Sequence, residues 1–140
     1  MGRKDPYRSF RYRVEFDRIQ WGGFSKVKGL SRETKVESFH EGGVNDFEHK
    51  LATMTTYQNL VVERGLADPK LWEWHREVVE GRITRKTISI ILQDEASAEV
   101  WRWHADAAFP VKWSVADLDG ASTQILVESI EFAHHGLRAG

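Results

Sequence analysis

Cysteine is absent from this 140-residue chain, which removes disulfide scaffolds, thiolate nucleophiles, zinc ribbons and iron–sulfur ligation together. An excess of charge of either sign is missing too: 20 Lys and Arg stand against 21 Asp and Glu, a formal net charge of −1 with the histidines neutral. So balanced a chain has no basic footprint for nucleic-acid phosphates and no polybasic patch for a membrane surface. No apolar run approaches the ~18 residues that a membrane-spanning helix needs. Met1 to Phe10 is charged where a secretory signal would be apolar, so synthesis in the cytosol without direct membrane anchoring is expected. There is no Gly-x-Ser-x-Gly elbow, no P-loop and no Gly-x-Gly-x-x-Gly. Nor is there an internal repeat, a low-complexity tract or a linker, so residues 1–140 read as one domain.

What is present is mostly strand pattern. Phe10, Tyr12, Val14 and Phe16 alternate with Arg11, Arg13, Glu15 and Asp17, as in a half-buried antiparallel strand. Gly22 and Gly23 punctuate the chain before Phe24 to Leu30. A second strand then sets Glu33, Lys35 and Glu37 opposite Thr34, Val36 and Ser38. Neither of its faces is apolar enough for a core, so the charged one is expected to meet water, a wet cavity or another subunit. From Glu41 to Gln58 the periodicity dissolves, and a long loop or extended hairpin is expected. Its large apolar side chains Phe47, Leu51, Met54 and Tyr57 argue that it binds something.

A strand follows at Gln58 to Arg64, and Asp68 with Pro69 signals a helix N-terminus, Asp68 as N-cap and Pro69 in the first turn. Leu71, Trp72, His75, Val78 and Val79 recur at helical spacing and Gly81 supplies the stop. Strands are predicted at Ile83 to Gln93, Ala98 to His104, Phe109 to Val115 and Thr123 to His134, with a hairpin turn at Asp94 to Ser97 and a loop at Asp117 to Gly120. The fold class is therefore mainly β with one α-helix, an antiparallel barrel or sandwich covered by that helix.

Few constellations suggest chemistry. The six histidines include the adjacent pair His134 and His135, but neighbours on a strand point to opposite faces and cannot share an ion. His40 and His49 flank the long loop without a recognised ligand pattern, so no metal and no cofactor is expected. Carboxylates are abundant, yet no pair is singled out as acid and base, and the chain is not read as an enzyme. Of six tryptophans, Trp101 and Trp103 share a strand face and either stack a sugar or base, or lie under the helix with Trp72. Trp74 cannot share a helix face with Trp72, and one of the two is expected to seal a subunit contact. A wetted strand with one thin apolar side suits the wall of a wide barrel. One chain has too few strands to close it, whereas several copies in a ring would.

Several stretches resemble a known family. Asp5-Pro6-Tyr7-Arg8-Ser9-Phe10-Arg11-Tyr12-Arg13-Val14-Glu15-Phe16, then Gly23-Phe24-Ser25 and Gly29-Leu30, are similar to the start of tail tube proteins of contractile phages and contractile injection systems. Glu41-Gly42-Gly43-Val44-Asn45-Asp46-Phe47, His49-Lys50-Leu51, Tyr57-Gln58-Asn59-Leu60 and Glu63-Arg64-Gly65-Leu66 resemble that family's most characteristic segment. Leu71-Trp72-Glu73-Trp74, Phe109-Pro110-Val111-Lys112-Trp113 and Glu128-Ser129-Ile130-Glu131-Phe132-Ala133-His134 extend the likeness over nearly the whole chain. Ala52-Thr53-Met54-Thr55 stands where relatives often carry a Pro-Gly turn, at the expected loop tip.

The resemblance implies a structural protomer: six copies form a ring, and rings stack into a hollow inner tube. Sheath, baseplate and terminator proteins would be its partners, DNA or effector proteins its cargo, and a virion tail or injection particle its location. It is similar in architecture to the secreted tube of type VI secretion. On this reading the interaction loop at about 41–57 reaches a neighbouring subunit or ring through Glu41, Gly42, Gly43, Asn45, Asp46, Phe47, His49, Lys50, Leu51, Met54 and Tyr57. Glu33, Lys35 and Glu37 are the lumen-facing candidates. The competing expectation is a monomeric β-barrel holding a small apolar or sugar ligand against Trp101 and Trp103.

Overall fold

A computed structural model describes residues 10–21, 23–39, 49–65, 68–116, 118, 120 and 126–140. Among them the chain runs β1 (Arg11–Phe16), β2 (Ile19–Trp21), β3 (Phe24–Lys28), β4 (Arg32–Phe39), β5 (His49–Tyr57), β6 (Leu60–Gly65), α1 (Lys70–Val79), β7 (Lys86–Gln93), β8 (Glu99–Val115), β9 (Val127–Ala133) and β10 (Leu137–Ala139). Every strand pairing is antiparallel, so the mainly β, one-helix class holds.

One path of pairing runs β2-β1-β7-β8-β9-β6-β3, with β10 added to β8, while β4 and β5 pair only with each other. β8 is the strand that joins the two halves of this path. Residues 99–108 pair with β7, and residues 109–115 pair with β9. The sequence predicts two strands here, Ala98 to His104 and Phe109 to Val115. They are one 17-residue strand that bends instead of breaking: Ala107 takes φ 52°, and registers shift between Lys86 and Ile88 and between Pro110 and Lys112. Such bulges turn a strand without ending its ladder, and one of them lies at Pro110, which has no N–H to give.

The bend brings the two halves face to face. Phe16 of β1 lies 5.8 Å from the Phe132 ring of β9 and 6.0 Å from Phe24 of β3. Val14, Phe16, Ile88, Ile90 and Ala105 fill the interior from one side, and Leu60, Val62, Ile130 and Phe132 from the other. These are the inward positions of a two-residue period, as the alternation from Phe10 to Asp17 requires. At the β1–β2 turn Asp17 and Arg18 have φ 50° and 71°, the left-handed pair that a two-residue hairpin needs to match strand twist.

α1 covers the open side, but on a different stripe from the expected one. Leu71 and Trp74 are buried, Trp74 at 4% exposure, whereas Trp72 is 45% exposed and Val79 more so. Both stripes satisfy three-and-four spacing, and what separates them is the partner set. The Trp74 indole meets Phe16, Trp21 and Phe132 and donates its N–H to the Thr84 carbonyl at 2.9 Å, so a large apolar body is buried with its one polar atom satisfied. Trp101 and Trp103 are not under the helix either. The N-terminus also sits one residue later than expected. Pro69 is the N-cap, without a side-chain cap bond, and its carbonyl accepts the Glu73 N–H, while Asp68 accepts the Lys70 N–H at 3.0 Å. Gly81 ends the helix at φ +90° as expected, its N–H donating to Val78 and that of Arg82 to Glu77.

β2, β3 and β10 carried no expectation, β7 starts three residues after the predicted Ile83, and the turn at Asp94 to Ser97 is in place. Replacing Trp74 by Ala should lower unfolding free energy by about 3–5 kcal/mol, as large core truncations do. Trp72→Ala should cost about 1 kcal/mol or less. Equal costs in urea denaturation would overturn the stripe assignment.

Candidate assembly surface

The segment expected to bind is half strand. His49–Tyr57 pairs along its length with Arg32–Phe39, from Arg32 opposite Tyr57 to Phe39 opposite His49, so the extended hairpin is the form it takes. Glu41, Gly42, Gly43, Asn45, Asp46 and Phe47 lie outside the described residues. Ala52 to Thr55, placed by the sequence at a loop tip, are mid-strand. A register shift between Lys35 and Val36 leaves Thr53 as the extra residue, its hydroxyl donating to the Lys35 carbonyl at 3.1 Å.

The hairpin is rooted firmly and covered hardly at all. At its root Gly29 has φ +93°, and a Cβ there would collide with the Asn59 carbonyl oxygen, so only glycine lets the incoming and outgoing chains pass this closely. Tyr57 meets the His134 ring edge-on at 5.8 Å. His134 accepts the Gly136 N–H at Nδ1, which leaves Nε2 to donate to the Gln58 carbonyl at 2.9 Å. Among the described residues, β4 and β5 make no substantial contact beyond this root with any other element. Val36, Phe39, Leu51, Met54 and Tyr57 are all exposed, Leu51 at 54% and Met54 at 58%. A lone two-stranded hairpin is marginal in water, and exposed apolar side chains in such numbers mark an interaction surface.

The register also settles which side chains share a face. Glu33, Lys35 and Glu37 stand beside Thr56, Met54 and Leu51, so the lumen candidates and two of the apolar anchors are on one side of the ribbon, with Phe39 stacked on His49 at 5.1 Å at its far end. The face is divided lengthwise, a charged row on β4 and an apolar row on β5. Lys50 falls on the opposite side with Ser38.

Trp101 and Trp103 sit 6.3 Å apart at 51° and line a groove of about 230 Å³ with Leu30, Ser31, Arg32, Leu137, Arg138 and Ala139. It is an open surface groove, while the barrel interior is occupied by the core side chains. Among the described residues no cluster of three or more His, Cys, Asp or Glu is placed to hold a metal ion, and no helix is long and apolar enough to cross a membrane.

Sequence reasoning missed the buried ion pair. Arg64 and Glu128 are register partners on β6 and β9, 2% and 1% exposed. Arg64 Nε donates to Glu128 Oε1 at 2.9 Å, and Trp113 Nε1 donates to Glu128 Oε2 at 2.7 Å. The Arg64 guanidinium lies over Phe24 and reaches Asp68 at 3.2 Å. The signal was available: Arg64 continues the inward parity of Leu60 and Val62, and Glu128 that of Ile130 and Phe132. The Lys70 N–H, and behind it Arg64, hold the Asp68 carboxyl below its usual value. Burial, with a smaller push from Glu63, raises the Tyr12 phenol.

The family described as T4-like virus tail tube protein gp19 matches residues 8–138. The chain belongs to that family. It is thus a tail tube protein of contractile phage tails and injection systems, a structural class. A chain in the cryo-EM structure of the anti-feeding prophage baseplate is 29% identical, with coverage of 100% of this chain and 97% of that one, at TM-score 0.80. One in the extended sheath–tube complex of the PVC extracellular contractile injection system is 20% identical, covering 97% and 90%, at 0.82. Hcp1 from Flavobacterium johnsoniae is 16% identical, covering 92% and 94%, at 0.56; these last two show a shared fold. No curated protein sequence matches significantly.

Two measurements test the buried network of this tail tube protein. Arg64→Ala should destabilise it by about 3–5 kcal/mol, because the Glu128 carboxylate is left buried without its cation. Adding Glu128→Gln should return part of that loss, since the amide oxygen still accepts from Trp113. Asp68, whose folded pKa is depressed, contributes stability above the ordinary carboxylate range and loses it as pH falls through the folded value. The stability gap between the parent and Asp68→Asn should therefore be widest at neutral pH and close below about pH 4; a gap that is flat with pH would refute this role.

Proposed function

We propose that six copies of this chain close into a ring and that rings stack into the hollow inner tube of a contractile tail or injection particle, which conducts DNA or effector protein through a target envelope. The observation that carries this reading is the uncovered β4–β5 hairpin. A folded ribbon with exposed apolar side chains on both faces and two edges unpaired among the described residues is stable when other copies cover it, and pairing between copies removes the edges. The β5 row of Leu51 and Met54, with His49, meets the neighbouring subunit on one side of the ribbon, and Lys50 and Tyr57, on its other side, complete the contact. Glu33, Lys35 and Glu37 on β4 face the bore, where mixed charge keeps the wall weakly adhesive to a passing polyanion. Exposed Trp72, edge-on to Trp113 at 4.7 Å, seals a further contact. Sheath, baseplate and terminator proteins are the partners of the finished tube. Relatives occur in baseplate, cap and sheath–tube complexes, which supports this. For the monomeric ligand-binding barrel, the two tryptophans line an open surface groove, while core side chains fill the interior.

Negative-stain electron microscopy with light scattering over a concentration series should show six-fold rings or stacked tubes. Met54→Asp should leave the monomer's circular dichroism unchanged and abolish them, because docking would bury an unpaired carboxylate. Assembly by Met54→Asp at the parent's concentration would refute the role of the hairpin.

A further inference from the structure

His134, His135 and Gly136 form the corner between β9 and β10, and both rings there stand opposite groups that can only donate. Gly136, at φ +137°, turns its N–H back onto His134 Nδ1 at 3.1 Å, while His134 Nε2 lies 2.9 Å from the Gln58 carbonyl oxygen. A backbone N–H can only donate and a carbonyl can only accept, so these two partners admit one form of the ring, neutral with its proton on Nε2. His135 Nε2 stands 3.3 Å from Arg85 Nη1, and a guanidinium offers nothing but donors, so this nitrogen accepts as well. The two rings reach different parts of the fold. His134 binds the residue after β5 and meets Tyr57 edge-on at 5.8 Å, which fixes the root of the hairpin. Arg85, behind His135, lies over the Phe109 ring at 4.6 Å and donates to the Ala107 carbonyl at 3.5 Å, at the bend of β8. Two backbone bonds tie the corner to that bend, from the Asp106 N–H to the Gly136 oxygen and from the His135 N–H to the Asp106 oxygen.

We propose that this corner is an acid-sensitive latch: with both rings neutral it joins the hairpin root to the bend of β8, and proton uptake opens it. A proton on His134 Nδ1 sets two donors against each other across 3.1 Å, and the backbone N–H cannot reverse. Either the ring turns, giving up the Gln58 bond and the Tyr57 edge, or Gly136 backs away and takes the start of β10 with it. A proton on His135 Nε2 sets a second cation against Arg85. Water reaches both rings, His134 being half-buried and His135 exposed. On the hairpin side the titratable and charged groups around them are the Tyr57 phenol and Arg32, its register partner on β4. On β9 Glu131 is engaged by the Asn59 amide at 2.8 Å, and on β8 Asp106 is engaged by Arg138 of β10 at 2.8 Å. Histidine is the side chain that ordinarily changes charge between about pH 5 and 8, so the bonds that need a bare nitrogen are lost as pH falls through that range. The consequence for assembly rests on the ring-and-tube reading above: a hairpin released at its root loses the single pose that repeated contacts between copies require, so acid favours separate subunits.

The test reads the latch in diluted monomer and its consequence in assembly. Nitrogen NMR of the histidine rings at about pH 8 should show His134 with its proton on Nε2 and Nδ1 bare. On acidification to about pH 5 the Gly136 amide resonance should move together with the His134 ring, and its protection against exchange, relative to an unstructured chain, should fall. Over the same interval the concentration at which rings or tubes form should rise at least about tenfold. His134→Asn, whose side-chain oxygen can take the Gly136 N–H without titrating, should remove that dependence, and His75→Gln on α1 should keep it. A His134 ring with its proton on Nδ1 near neutrality, or a Gly136 amide equally protected at both pH values, would overturn the latch. So would a threshold that acid leaves unchanged, or His134→Asn following the parent's pH dependence. A parent that stays monomeric at every pH and concentration would overturn the assembly reading, and the ring and amide measurements would then decide the latch by themselves.

Discussion

Seventeen residues of continuous backbone, Glu99–Val115, hydrogen-bond to β7 on one stretch and to β9 on the next, and the rest of the fold depends on that shared strand. Because it bends at Ala107 and Pro110, the two halves of the pairing path face each other and enclose one core. A straight strand of that length would leave two flat sheets, each with an apolar face to water. The helix completes the enclosure where the bend opens it, with Trp74 set among Phe16, Trp21 and Phe132.

The Arg64–Glu128 pair fastens the second half. Its stability contribution is bounded by the desolvation of two charges, but its geometry is restrictive: Glu128 answers both Arg64 and Trp113, and Arg64 reaches on to Asp68 beside the helix start. One register of β6, β9 and β8, and one entry point for α1, satisfies all four groups. A pair of this kind is costly to break and is satisfied by one arrangement of these strands, which would suit the proposed ring, whose copies must be superimposable.

Against that closed body the β4–β5 hairpin is the exception, and its exposure makes physical sense as half of an interface. In the proposed stacked tube, axial thrust would be borne by stiffness, which many paired backbone edges and apolar contacts supply and a hinge would not. At the tight root Gly29 passes Asn59 and Tyr57 packs on His134 and Gly136, a connection that would transmit load from hairpin to barrel in that tube. Mixed charge on the β4 row would let the same ribbon meet water on one half and, in the proposed ring, a neighbour on the other.

Much of this was legible in the residues themselves. Alternation from Phe10 to Asp17, the Pro69 and Gly81 signals, and two-sided polarity at Glu33 to Ser38 are local properties, set by strand and helix periods that need no tertiary context. The order of the family-like segments was sequence information as well. Three things were not local. Whether Ala98 to Val115 was one strand or two depended on a bend that both neighbouring strands stabilise. Whether Trp72 or Trp74 turned inward depended on which ring had partners, since the spacing allowed both. That Leu51 and Met54 share a ribbon face with Glu33 and Lys35 depended on register, where a shift of one residue exchanges every side. By itself the sequence determined the periods, the Gly81 stop of the helix and the family; the tertiary structure decided which of two equally periodic faces each element buries, because burial is settled by partners distant in the chain.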